Sequence, residues 1–147
     1  MITLEDYYLG RDSQYRHELT QALQANARET VRRVSLLLEI AAADGVTLEP
    51  SPRTGSLVTS GWRPAAVNAA TPNAAPRSRH MTCEAVDLYD PDGDLDEWCF
   101  AHPERLAELD LYLEHPAATK GWCHLQIVPP RSQARLPVGD RRRWFYP

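Results

Sequence analysis

Residues 78–87 have the sequence SRHMTCEAVD, in which His80 precedes a segment of β-strand composition that delivers Asp87. Residues 121–126 have the sequence GWCHLQ and carry His124 in a second segment of this kind. Two imidazoles and one carboxylate, with a fourth position left to water, form a catalytic rather than a structural zinc site. Taken singly, these residues also fit ordinary roles as a loop histidine, a capping acid and a core histidine. Their combination favours a site in which all three bind Zn²⁺.

Alternation along residues 121–128 divides the second segment into two faces. One face carries Trp122, His124 and Gln126. The other is apolar and consists of Cys123, Leu125 and Ile127. The proposed ligand therefore shares its face with an aromatic ring and an amide, which suits the wall of a cleft.

Helical periodicity predicts a long N-terminal helix from about Ser13 to Ala43, stopped by Asp44-Gly45. A second amphipathic helix is predicted from Pro103 to Glu114. It would end before the next proline, as helices do.

Shorter elements fill the space between these helices. We predict strands at residues 46–48, 57–60 and 84–89, a short helix at 64–69 and an irregular loop at 70–77. Residues 90–94 form a tight acidic turn; their glycine comes too early for an EF-hand calcium loop, so a solvated turn is favoured. The chain is thus predicted to form one α+β domain over residues 1–147. A small antiparallel sheet would carry the metal ligands, with the two helices packed on it.

Composition excludes several classes of protein. A formal net charge of −4 argues against a general nucleic-acid binder. The chain has no apolar run long enough to enter a membrane, and residues 1–6 lack the charged-then-apolar pattern of a signal peptide. The three cysteines form no C-x-x-C pair, which disfavours a zinc knuckle or a disulfide framework. Small buried side chains on strands are favoured over sulfur ligation by Cys83 or Cys123.

The tail at residues 141–147, RRRWFYP, is basic and then aromatic. It could dock on a larger assembly, such as a virion or tail. Packing of its aromatic rings against the domain is favoured, because it would bury a large apolar area.

Three blocks between residues 57 and 128 together resemble the M15 family of zinc peptidases. Residues 78–87 resemble its Ser-x-His-x-x-Gly-x-Ala-x-Asp signature, and Trp122-Cys123-His124 matches its closing Trp-x-His. Residues 60–64, SGWRP, followed by Asn68, are similar to its Ser-Gly-Tyr-Arg-x-x-x-x-Asn block. The family includes D-alanyl-D-alanine carboxypeptidases and phage L-alanyl-D-glutamate endolysins. The resemblance implies a fold like that of the hedgehog and DD-peptidase proteins.

The resemblance also implies a role for each residue of the site. His80, Asp87 and His124 would bind zinc, and Arg63 would stabilise the oxyanion that forms at the scissile carbonyl. Residues that would contact substrate around the metal are Ser60, Ser78, Trp122 and Gln126.

Two positions depart from the family pattern. The glycine of the signature is Cys83 here. The acid that family members place three residues before the last ligand, as general base, is Gly121. We expect a base from elsewhere, with Glu114 the first candidate and His115 the second.

The leading hypothesis is a zinc peptidase that cuts peptidoglycan stem peptides, as a D,D-carboxypeptidase or an L-Ala-D-Glu endopeptidase. The missing export signal suits a phage or prophage protein that acts at the cell wall after host lysis or from the virion. The alternative is a virion or tail structural protein that keeps the fold, and binds metal or cell wall with little or no catalysis. A zinc amidase or small-molecule hydrolase is a third hypothesis.

Overall fold

The computed structural model describes residues 1–131 and 142–147. These residues form an α+β fold with six α-helices and one mixed sheet of five strands. None of the helices in these two ranges combines the length and the apolar character needed to cross a membrane.

The N-terminal region contains three helices rather than one. They are α1 (Leu4–Tyr8), α2 (Arg11–Gln14) and, after a 3₁₀ turn at Arg16–Glu18, the long helix α3 (Gln21–Ala43). The predicted start at Ser13 is wrong because Thr20 caps α3, accepting the backbone N–H of Leu23 on its side-chain oxygen. The predicted stop is confirmed: Asp44 is the C-cap, and Gly45 follows with a positive φ of 88°.

The sheet has the strand order β1-β2-β4-β3-β5. The β1–β2, β2–β4 and β3–β4 pairs are antiparallel, whereas β5 runs parallel to β3. The prediction of an antiparallel sheet is therefore wrong at this edge. A long connection separates β5 from β4, and it permits a parallel pairing that a hairpin cannot make. The strands are β1 (Val58–Ser60), β2 (Ala85–Asp90), β3 (Tyr112–Glu114), β4 (Gly121–Gln126) and β5 (Trp144–Phe145).

The predicted helix at residues 103–114 is half correct. Helix α6 covers only Pro103–Glu108, and the chain then turns through Asp110, whose φ is +50°. Leu111 and Leu113 are fully buried, whereas Tyr112 and Glu114, which alternate with them, are half-buried. This alternation of period two belongs to β3, not to a helix.

Helix α5 (Asp94–Ala101) was not predicted from the sequence. The side chain of Asp90, at the end of β2, accepts the backbone N–H groups of Leu95 and Asp96 at 3.3 and 2.8 Å. The acidic turn that we predicted is present, but it also starts this helix. Its carboxylates lie at the helix N-terminus, where negative charge is stabilising.

Two further elements complete the description. Helix α4 (Ala65–Ala70) lies within a residue of its predicted position. The strand predicted at residues 46–48 is absent, since this segment has no ladder partner among the residues that the structure describes.

Helix α3 positions the turn that carries the first ligand. Its buried residues join the same apolar core as the inner faces of β2 and β4. The hydroxyl of Thr30 donates to the carbonyl of Cys83 at 2.8 Å, and the amide of Asn26 donates to the carbonyl of Thr82 at 3.0 Å. Two side chains of one long helix thus hold the 3₁₀ turn Arg79–Thr82 against the sheet.

Candidate metal centre

The pairing of β2 with β4 brings two of the predicted ligands together. Asp87 and His124 are direct partners in this antiparallel ladder. His80 reaches the same place from the 3₁₀ turn just before β2. One candidate ligand atom from each of the three residues lies within 4.8 Å of the other two. The sequence-predicted trio therefore converges, and it could hold a metal ion.

The ring of His80 is buried, and its carbonyl partner orients it. Its Nδ1–H donates to the carbonyl of Gly61 at 2.8 Å. A carbonyl can only accept, so Nε2 carries the lone pair. Within the described part of the chain, Nε2 is buried without a hydrogen-bond partner, and it lies 3.3 Å from Asp87 Oδ1. An unpartnered nitrogen lone pair beside a carboxylate fits a cation bound between them.

Gly61 has to be glycine for this arrangement. A Cβ atom at this position would lie 1.9 Å from the carbonyl oxygen of Tyr7. The close approach of α1 to this segment therefore holds the carbonyl that orients His80.

The ring of His124 is oriented by a chain of two hydrogen bonds. The side-chain amide of Gln126 donates to the carbonyl of Val128 at 2.9 Å. This bond leaves Oε1 of Gln126 to accept the Nε2–H of His124 at 3.0 Å. The remaining nitrogen, Nδ1, lies 2.8 Å from Oδ1 of Asp87. Gln126 is buried with both ends of its amide engaged, so its position suits a role in orienting His124, and it also lines the cavity over the metal group.

Both imidazoles thus hold one N–H away from the carboxylate and turn the other nitrogen towards it. Metal-binding histidines commonly show this arrangement, in which an outer acceptor fixes the tautomer. One carboxylate and two imidazole nitrogens that meet in this way fit a divalent metal.

The electrostatics of the group keep Asp87 ionised. Burial raises the pKa of Asp87, but the charges and hydrogen bonds of His80 and His124 outweigh it and hold the pKa well below its usual range. Burial lowers the pKa of His80, only partly opposed by Asp87. For His124, burial also lowers the pKa, but the hydrogen bond and the charge that Asp87 offers to the protonated ring raise it above its usual value overall. The carboxylate is therefore in the form that a metal requires.

Arg63 lies beside the group and is held by two side chains. Its Nε donates to Ser60 Oγ at 2.9 Å, and its Nη2 donates to Asp87 Oδ2 at 3.2 Å. Its backbone N–H donates to the carbonyl of His80. Both partners of the ion pair are nearly buried, so it is not a surface salt bridge. The predicted oxyanion group and the metal ligands are tied into one network.

Glu114 reaches the site from β3 rather than from a helix end. Tyr112 pairs with Gln126 and Leu113 with Leu125, so the register continues to Glu114 beside His124. Its Oε2 lies 3.9 Å from His124 Nδ1. Burial raises the pKa of Glu114; the charge of Asp87 adds to this effect, whereas His124 opposes it. A carboxylate of raised pKa next to the metal group meets the requirements of a general base.

The structure does not bring His115, the second candidate base, to the metal group. Its Nδ1 accepts the backbone N–H of Ala117 at 3.0 Å. Its ring stacks on Tyr146, with the ring centroids 4.5 Å apart. The direction of the chain at the end of β3 explains the difference, since neighbouring residues on a strand point to opposite faces.

A cavity of about 530 Å³ opens over the metal group. Ser78 lines it and caps the 3₁₀ turn, accepting the backbone N–H of His80 at 3.2 Å. Asn68 donates its amide to the carbonyl of Ala75 at 2.9 Å, which fixes the loop that forms one wall. Trp122 and Phe145 line the cavity near His124.

The three cysteines are buried and free, but only Cys123 lies on a strand. Cys83, at the glycine position of the signature, ends the 3₁₀ turn with a φ of +58°. Burial raises the pKa of its thiol to about 12, although a hydrogen bond with Tyr7 lowers it. A protonated, buried thiol is a poor metal ligand, and Cys83 is not part of the metal-binding group.

The aromatic part of the C-terminal tail packs against the domain, as favoured. Trp144 and Phe145 form β5, and the ring of Phe145 lies edge-on to His124 at 6.1 Å. Arg141, the first residue of the predicted tail, lies outside the described residues.

Comparison of the chain with models of known families, with curated proteins and with solved structures finds no match in any of the three.

Sequence reasoning missed the parts played by Gly61 and Val128. Both act through backbone carbonyls, which leave no mark in the sequence. The glycine inside the SGWR block was the available signal for the first.

Proposed function

We propose that this protein is a zinc-dependent peptidase of the M15 type that hydrolyses peptidoglycan stem peptides. The observation that carries the proposal is the orientation of the two imidazoles. Backbone and side-chain acceptors hold the outer N–H of each ring, so that both lone pairs face Asp87. A set of two nitrogens and one oxygen is typical of catalytic zinc.

The chemistry of the site divides between the metal and the chain. When bound, zinc supplies Lewis-acid catalysis, since it lowers the pKa of water and polarises a carbonyl. Glu114 is the proposed general base: it accepts a proton from the attacking water and returns it to the leaving amine. Arg63 supplies a fixed positive charge for the oxyanion of the tetrahedral intermediate. Glu114 thus replaces, from a neighbouring strand, the base that is missing at Gly121.

The substrate class follows from the motif resemblance rather than from the geometry. The order and spacing of the three blocks between residues 57 and 128 support a fold like that of the hedgehog and DD-peptidase proteins, and cleavage beside a D-amino acid. The α+β architecture with the metal group on adjacent strands agrees with this proposal. We place its action at the cell wall, after release from a host or from a virion.

Two measurements test the proposal in sequence. Protein purified without chelator is first analysed for metals, and close to one equivalent of zinc is expected. The zinc-loaded protein is then incubated with purified cell wall, and the released fragments are identified by mass spectrometry. Zinc below a few tenths of an equivalent in zinc-supplemented protein, or intact stem peptides after prolonged incubation, would rule out the peptidase.

A virion or tail structural protein is the second candidate, and the glycine at the usual base position favours it. In this case the protein retains zinc and sediments with cell wall, but releases no fragment. The Asp87→Asn variant is the control for both activities, because it removes the carboxylate that both imidazoles face.

A further inference from the structure

Three arginines lie on one side of the cavity that contains the metal group. Arg77 and Arg79 flank Ser78, and Arg131 follows the two prolines after β4. All three line the cavity. None of them is the arginine that contacts Asp87, so they are a separate feature, which we call the arginine group.

Arg79 is the fixed member of the arginine group. Its Nη2 donates to the carbonyl of Pro129 at 3.3 Å, and its Nη1 lies 3.6 Å from a carboxylate oxygen of Glu84. Its Nε is buried without a hydrogen-bond partner among the described residues. The guanidinium is thus held in place while one of its donors stays unused.

Arg77 and Arg131 carry charge that no carboxylate of the described residues pairs with. The charges of Arg79 and Arg77 lower the pKa of Arg131, whereas Glu84, already beside Arg79, opposes them. Arg131 therefore lies close enough to the other two guanidinium groups for their charges to act on it. Across residues 1–131 and 142–147, neither Arg77 nor Arg131 has a carboxylate partner within ion-pair distance.

Among residues 1–131 and 142–147, the acidic side chains on the cavity wall do not offset the charge of the arginine group. Asp87 and Glu114 line the cavity, but the first is paired with Arg63 and the histidines, and the second lies beside His124. A concave surface with an excess of one charge concentrates ligands of the opposite charge. Guanidinium groups bind carboxylates through two parallel hydrogen bonds, which gives direction as well as affinity.

We propose that Arg77, Arg79 and Arg131 bind a carboxylate of the peptide substrate, at a subsite separate from the metal and from Arg63. This inference rests on the proposed peptidase function. It states that the substrate is anionic and that one of its carboxylates, away from the attacked carbonyl, fixes its position in the cavity.

Binding of matched peptides tests the subsite. The zinc-loaded protein carrying Glu114→Gln, which slows turnover, is titrated by calorimetry with a stem peptide ending in D-Ala-D-Ala. Two further peptides carry a carboxamide at the C-terminus only or at the side-chain carboxyl only. Amidation of the recognised carboxyl should weaken binding about 10- to 100-fold, as expected for hydrogen bonds to a charged group. The amide that has this effect identifies the carboxylate.

Arg77→Gln and Arg131→Gln assign the effect to the arginine group. Each should weaken binding of the free-carboxyl peptide about 2- to 5-fold, and should leave unchanged the binding of the peptide whose recognised carboxyl is amidated. Both side chains project from the surface, so the fold should tolerate these changes; Arg79 is left intact because it anchors the chain. Arg105→Gln, on the surface of α6, is the matched control and should bind all three peptides like the parent protein.

Equal binding of the acid and both amides by the parent protein would overturn the subsite, as would variants that weaken all three peptides alike. If the protein with native Glu114 cleaves the acid and both amides equally well, the subsite is refuted, but the peptidase function is supported. Carboxylate-dependent binding without any cleavage would support the subsite and contradict the peptidase function.

Discussion

Replacing Gln126 by Leu should weaken zinc binding without unfolding the protein. The change removes the oxygen that accepts the Nε2–H of His124 at 3.0 Å, in a place where both residues are buried. A buried donor that loses its partner costs about 1–3 kcal/mol. It also frees the proton to move to Nδ1, where Asp87 Oδ1 at 2.8 Å would accept it. The lone pair that faces the metal is then lost.

We therefore expect the zinc dissociation constant to rise about 10- to 100-fold. Competition with a chromophoric chelator at fixed pH measures this constant. Thermal unfolding gives a second readout: at a fixed excess of zinc, the stabilisation by the metal should fall by about 1.4–2.7 kcal/mol. Gln126→Glu is the comparison variant: its carboxylate keeps an acceptor for His124 but loses the donor to the Val128 carbonyl, so its zinc affinity should lie between that of the Leu variant and that of the parent. A Leu variant that binds zinc as tightly as the parent would refute the orienting role of Gln126.

Three further predictions concern the base, the close contact at Gly61 and a buried acid. Glu114→Gln should lower kcat about 10²–10⁴-fold at unchanged zinc content; unchanged turnover of stem peptides would remove Glu114 from the mechanism. Gly61→Ala places a Cβ 1.9 Å from the carbonyl of Tyr7, so the free energy of unfolding in urea should fall by about 1–3 kcal/mol or more; a neutral result would show that α1 lies elsewhere. Burial raises the pKa of Asp96 to about 6, against hydrogen bonds from Thr119 and Cys123. The folded state thus binds this proton more tightly than the unfolded state, and stability should fall as the pH rises from about 4 to 6, by on the order of 1–2 kcal/mol after allowance for screening. Urea titrations across this range should show the slope in the parent and not in Asp96→Asn.

The metal group was predictable because its signal is local. His80 and Asp87 lie in one short motif, and the alternation around His124 predicts which residues share its face. The long helix ending at Ala43 was predictable for the same reason, since its apolar stripe repeats over many turns. The start of that helix was not, because residues 11–18 have helical composition but form the separate short helix α2 and a 3₁₀ turn.

The position of Glu114 could not be predicted from the residues near it in the sequence. Residues 109–114 fit the end of a helix by composition, and the structure instead makes residues 112–114 a strand, because Leu111 and Leu113 are both taken into the core. Propensity is a weak prior that tertiary packing overrides. Only this change of element places the Glu114 carboxylate beside His124.

The sequence by itself determined the α+β class and the identity of the three side chains that could hold a metal ion, because motif spacing and hydrophobic period are properties of neighbouring residues. The tertiary structure alone decided which nitrogen of each histidine faces Asp87, which strand supplies the acid beside His124, and that the C-terminal aromatic segment closes the sheet in a parallel direction. These features depend on backbone carbonyls and on strand register between residues far apart in the chain. Side-chain identity does not encode such partners, and only the folded chain brings them within the short reach of a hydrogen bond.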